Sequence, residues 1–172
     1  MYKVGDRIVY GNSGVCEVSE IRTSPFGNGT DDRLFYVLEP VNDTTAMTIY
    51  TPVDCDNVVI RDLVTKKEAL ALLKSIPDID PLEIPVEKER RELYRVTVKT
   101  TDLVDYVRVI KTVSERRRVF KKSRRRLPDL DNDFEHTARN CLYGELAAVL
   151  GVDRDEIHRR VCKLLEPAEA AK

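Results

Sequence analysis

The sequence predicts an α+β protein: a small antiparallel SH3/Tudor-like β-barrel followed by a compact all-helical domain. Three observations lead there. Short runs rich in Val, Ile, Tyr and Thr, separated by Gly, Asn and Asp, fill the first part of the chain. From about residue 64 the apolar residues recur at helical spacing. Charge changes along with the period: residues 1–62 carry five Lys/Arg against ten Asp/Glu, whereas 83–126 carry fifteen against seven.

The strands come first. "RIVY" (7–10) and "VCEVSEI" (15–21) flank "GNSG", a turn whose residues tolerate positive φ. "RLFYVL" (33–38) follows the turn signal "PFGNGTDD" (25–32), "AMTIYTP" (46–52) follows "VNDTT" (41–45), and "NVVI" (57–60) closes the set. So short a sheet, left flat, would expose long edges, which favours a barrel. Barrels of this size bind peptides, strands or nucleic acid, so residues 1–62 read as a docking module.

The helices follow. Thr65 caps "KKEALALLKSI" (66–76), with Glu68 placed to complete a capping box. Pro77, Pro81 and Pro85 mark the connector "PDIDPLEIP" (77–85), and a helix is expected from near Pro85 through "EKERRELYRVTVK" (87–99). Tyr94, Val96 and Val98 also alternate as a strand would, but Arg90, Tyr94 and Val98 recur at i, i+4 and i+8, which favours a helix. "DLVDYVRVIKTVSERRRVFKK" (102–122) sets Leu103, Tyr106, Val107, Ile110, Val113 and Phe120 on one face. A helix over 131–150 carries Phe134, Ala138, Cys141, Leu142, Leu146 and Val149 and ends at Gly151, a left-handed terminator. Asp153 caps the last helix, giving a helical domain over 64–167 and a frayed tail over 168–172.

Charge narrows the function. "ERRRVFKKSRRR" (115–126) holds eight cations in a chain of 172 residues with net charge −1. Helix-dipole stabilisation, typically about 0.3–1 kcal/mol per cation, acts over roughly one turn and leaves Arg124, Arg125 and Arg126 without a local reason. Lys88, Arg90, Arg91 and Arg95 on the preceding helix join them if the two helices pack antiparallel. The expected nucleic-acid-binding set is Lys88, Arg90, Arg91, Arg95, Arg117, Lys121, Lys122, Arg124, Arg125 and Arg126, with a solvated surface as the alternative. With no Trp in the chain and only Phe120 as an aromatic in the run, phosphate contact is expected rather than a base-stacking platform.

Other classes lack their signatures. Cys16, Cys55, Cys141 and Cys162 are far apart, with only His136 and His158 to help, which fits neither a zinc site nor a disulfide framework. No nucleophile–base pair or phosphate-cradling glycine loop stands out, so no enzyme, metal or cofactor is expected. No secretory leader or bilayer-length apolar run is present, and the expectation is a soluble cytoplasmic protein, monomeric and not membrane-bound.

The stretch "YKVGDRIVYGNSGVCEVSEI" (2–21) resembles the opening of the CarD/CdnL family of bacterial transcription regulators, whose N-terminal module is shared with the transcription-repair coupling factor. The likeness runs on through "RLFYVLEP" (33–40), "YTPVD" (50–54), "EKERRELYR" (87–95), "VRVIKTV" (107–113) and "NCLYGELAAVLG" (140–151). The resemblance implies a Tudor-like domain that docks on the β subunit lobe of RNA polymerase, with Met47, Thr48, Ile49, Tyr50, Thr51 and Pro52 as the contact edge. It also implies a helical domain that meets promoter DNA through phosphates, with nucleoid association through polymerase, and tunes open-complex formation. The alternative within the family is a docking adaptor whose helical half binds another protein. Where many members carry a Trp that wedges into the minor groove at the fork, this chain has Glu83, and "YG" at 10–11 replaces the common Tyr-Pro.

Overall fold

A computed structural model describes residues 1–23, 33–41 and 47–165. The expected turns over 25–32 and 42–45, and the tail over 168–172, lie outside the described residues. The chain divides into two compact units, Met1–Leu63 and Val64–Lys172.

The first unit is a five-stranded antiparallel sheet: β1 (Arg7–Tyr10), β2 (Val15–Thr23), β3 (Leu34–Pro40), β4 (Ile49–Pro52) and β5 (Ile60–Asp62). The order is β4-β3-β2-β1-β5, so the chain meanders through four strands and its last strand returns beside the first, leaving β4 and β5 as edges. A register shift between Val18 and Glu20 bends β2 and lets the small sheet curl over its core. That core is Ile8, Cys16, Val18, Tyr36 and Leu38, flanked by Tyr2, Tyr10, Ile21, Ile49, Val53 and Ile60. The β1–β2 connection is a single 3-10 turn, Gly11–Ser13, with Gly11 at φ 46°. A Cβ at Gly11 would stand 2.7 Å from a Val58 methyl, so both the backbone angle and the close approach require glycine there.

The last strand differs from the expected 57–60. Its register against β1 is Tyr10↔Ile60, Val9↔Arg61 and Ile8↔Asp62. Pairing with a buried neighbour thus recruits the polar Arg61 and Asp62, while Val59 meets the turn by accepting the Gly11 N–H at 2.9 Å.

The second unit contains α1 (Lys66–Ser75), α2 (Arg90–Lys99), α3 (Leu103–Lys122), α4 (Asp129–Leu150) and α5 (Arg154–Leu165). Thr65 and Glu68 form the full capping box. Asp102 caps α3 through the Val104 N–H, and Gly151 ends α4 at φ 68°. Helix α2 does not begin at Pro85: Val86 is extended, Glu87–Glu89 is a 3-10 turn, and the α-helix starts at Arg90. Helix α4 begins two residues earlier than expected, at Asp129, with Asp129 and Asp131 on its positive end.

The core of this unit runs from Ala69, Leu72 and Ile76 through Tyr94, Tyr106 and Ile110 to Leu142, Leu146 and Ile157. Two polar anchors hold the segments that lead into it. The buried Glu145 carboxylate on α4 accepts the Val64 N–H at 2.9 Å, fixing the first residue of the unit. The Thr112 hydroxyl accepts the Leu82 N–H at 2.8 Å, seating the connector on α3. Among the described residues no helix is long and apolar enough to cross a membrane.

Candidate functional site

Among the described residues the edge strand β4 pairs only with β3. Its register is Leu38↔Ile49, Val37↔Tyr50, Tyr36↔Thr51 and Phe35↔Pro52, and the Val53 N–H donates to Leu34 O at 2.9 Å. Hydrogen-bonded and non-bonded pairs alternate in an antiparallel ladder, so Thr51 and Ile49 turn their backbone groups toward β3. Tyr50, in the other phase, turns its N–H and C=O away from β3. Pro52 shares that phase, where a missing N–H takes no bond from the ladder.

The side chains divide in the same way. Met47 is 85% exposed and Tyr50 carries the Arg22 guanidinium over its ring at 5.4 Å, whereas Thr51 is buried. Of the six expected contact residues, Thr51 therefore lies behind the edge, Ile49 is half-buried against the core, and Met47, Thr48 and Tyr50 are exposed.

In the helical unit the expected cations separate into two groups. Arg90 is 7% exposed and packs on the same face as Tyr94 and Val98. Its guanidinium lies 3.2 Å from Asp131 and pairs with Glu87. Arg117 pairs with Glu135 and donates to Asn132 at 3.0 Å. Arg95 is held by Glu92, and Arg126 by Asp129 at 2.7 Å in an exposed pair. Arg116 reaches both Asp131 (3.0 Å) and Glu87 (2.7 Å), and Arg118 donates to Leu165 O. Two carboxylates one turn apart on α4, Asp131 and Glu135, thus engage arginines that the sequence alone assigns to the surface. Their signal was present but non-local: acidic residues at i and i+4 beside a basic helix.

The second group faces solvent. Lys88, Arg91, Lys121, Lys122, Arg124 and Arg125 are all exposed, and the Arg125 guanidinium lies over the Phe120 ring at 5.2 Å. The contact of Glu87 with Arg116 sets the start of α2 beside the C-terminal half of α3, and Lys121 follows Arg116 by about 8 Å of helix. Glu83 is exposed on the connector between the buried Leu82 and the half-buried Ile84.

Electrostatics follow this pairing. Burial pushes the Glu135 carboxyl up, but the Arg117 and Arg139 guanidiniums outweigh it and hold the group below the usual glutamate range. Burial, reinforced by Asp131, raises the Tyr94 phenol far above its ordinary value, so it remains a hydrogen-bond donor to Asp131 at 2.9 Å. The four cysteines are free thiols: Cys16 and Cys141 are buried, Cys55 and Cys162 half-buried. Among the described residues no three His, Cys, Asp or Glu side chains gather as a metal-ligand set.

Among the described residues, a curled five-stranded sheet with an edge strand precedes a helical unit whose surface carries exposed cations. Residues 2–64 match the family model described as the CarD-like/TRCF RID domain, so the first unit is similar to that domain. The match ends where the helical unit begins, and no curated protein matches the chain.

Proposed function

We propose that this chain docks on the β subunit of RNA polymerase through its first unit and holds promoter DNA by phosphate contacts from its second, tuning the stability of the open complex. The observation that carries the DNA half is the set of six solvent-facing cations left after the ion pairs are formed: Lys88, Arg91, Lys121, Lys122, Arg124 and Arg125. Like charges so close raise one another's energy, and a polyanion relieves that repulsion. The docking half rests on the family of residues 2–64 and on the edge strand β4, whose outward backbone groups suit strand addition.

A second reading, an adaptor whose helical unit binds a protein, draws on one feature. Leu82, Ile84, Val119 and Phe120 line a hollow of about 270 Å³, and Val119 at its rim is 61% exposed. Salt separates the two readings. Each phosphate neutralised contributes about −0.9 to the log–log slope of affinity against salt, so six cations on phosphates give a slope approaching about −5. Changing Lys121, Lys122 and Arg124 to Glu should weaken binding to unrelated duplexes equally and leave polymerase capture intact. Tyr50→Pro should do the reverse, while Ile49→Pro also breaks the ladder to Leu38. Salt-insensitive duplex affinity would decide for the adaptor.

A further inference from the structure

We infer that Asp131 is a positioning residue for the cationic face: a fully buried carboxylate that fixes the distance between the cations of α2 and those of α3. The inference rests on the reading that this face meets phosphates.

Asp131 is 0% exposed and stands in the first turn of α4. Its Oδ1 accepts the Tyr94 hydroxyl at 2.9 Å and the Arg116 Nε–H at 3.0 Å, and lies 3.2 Å from Arg90 Nε. One oxygen therefore joins α2, α3 and α4. Glu87 closes the cluster from outside, bridging Arg116 at 2.7 and 3.1 Å and pairing with Arg90. The solvent-facing cations are tied to this cluster by the chain itself. Lys88 follows Glu87, Arg91 follows Arg90, Lys121 is on the helix of Arg116, and Arg124 and Arg125 lie in the loop that leads to Asp131.

Stability alone does not call for such a device. Desolvating a carboxylate and two guanidiniums can cost as much as their attraction returns, and apolar replacements of buried ion pairs are often neutral or stabilising. The surrounding core has aliphatic and aromatic side chains enough to have filled this place with another apolar residue. An ion cluster does differ from oily packing in one respect: the hydrogen bonds from Tyr94 and Arg116 to Asp131 Oδ1 are directional, so few arrangements of the three elements preserve them. A fixed arrangement matters for phosphates, which recur at set intervals along a duplex.

The opposing explanation is that Asp131 masks Arg90 and Arg116, and the two make opposite predictions. Asp131→Asn in the full chain keeps the size and one acceptor but removes the charge. If Asp131 positions the face, duplex affinity falls severalfold and the salt slope moves toward zero by about 0.9 for each phosphate no longer reached. If it masks, affinity rises and the slope steepens, which overturns the inference. A merely structural role predicts weaker binding with the slope unchanged, as for the core variant Val161→Ala measured in parallel, and overturns it too. Should Asp131→Asn not fold, Glu87→Gln, at an exposed position in the same cluster, is expected to flatten the slope, and an unchanged slope there refutes the proposal. Wild-type protein with no salt-dependent duplex binding would remove the DNA reading itself, and the positioning role with it. Salt-dependent wild-type binding with an unaltered variant removes only the latter.

Discussion

Arg124 occupies a backbone conformation that an L-residue other than glycine adopts at a cost. Its φ is 53°, and it follows the end of α3. The Arg125 N–H reaches back to Phe120 O at 2.9 Å and the Arg124 N–H to Lys121 O at 3.1 Å, the bond pair of a Schellman cap, in which glycine is the usual left-handed residue. The apolar contact that commonly accompanies this cap is replaced by Arg125 lying over Phe120. Left-handed geometry costs an L-residue roughly 1–2 kcal/mol, so an arginine here trades stability for a cation at the tip of the loop. Arg124→Gly should accordingly exceed Arg124→Ala in stability by about 1 kcal/mol, while both lose the same duplex affinity. Urea unfolding of the two variants reads the difference, and an Ala variant as stable as the Gly variant would remove the argument. Arg90 offers a second lesson at this scale. Its place in the stripe with Tyr94 and Val98 already marked it as inward, and the pull of the basic run led to its assignment as surface.

Among elements, what could be read was local and what could not was distant. The Thr65–Glu68 box and the Gly151 terminator depend on neighbours within four residues, and each is where the sequence put it. The pairing of β5 depends on a strand about fifty residues earlier, and the fate of Arg116 and Arg117 depends on α4, 15 and 18 residues on. No propensity carries information over those separations. The α3–α4 contact also makes a prediction about pH. Glu135 has a depressed folded-state value, so its contribution is present above the unfolded glutamate value of about 4.3 and is lost as pH falls through the lower folded one. Glu135→Gln should cost roughly 2 kcal/mol near neutrality, with the difference from wild type shrinking below about pH 4. Urea midpoints at both pH values check this, and a gap that widens in acid would contradict the pairing.

For the whole molecule, near-neutral net charge conceals a division of labour. The acidic first unit and the basic stretch of the second are different surfaces on separately cored units, which suits two partners of opposite character. Weak phosphate contacts gain from being tethered to a docked module, because linkage turns the second encounter into an intramolecular one. The intact chain should therefore lengthen open-complex lifetime, while an equimolar mixture of 1–63 and 64–172 should not, even where each fragment retains its own partner. Decay after competitor addition is the measurement. Equal lifetimes with the mixture would mean that the two units act independently.

Glu145 bears on how such a tether responds to load. Its bond to the Val64 N–H is made from the middle of α4, the longest helix and one of the most deeply buried. A pull arriving along the chain from the first unit meets this bond before it reaches the first turn of α1. Force is then shared with the centre of the bundle, and α1 is spared from being peeled away end-first. The buried glutamate acts as a cleat: load on the line passes to the middle of the bundle without unravelling the knot.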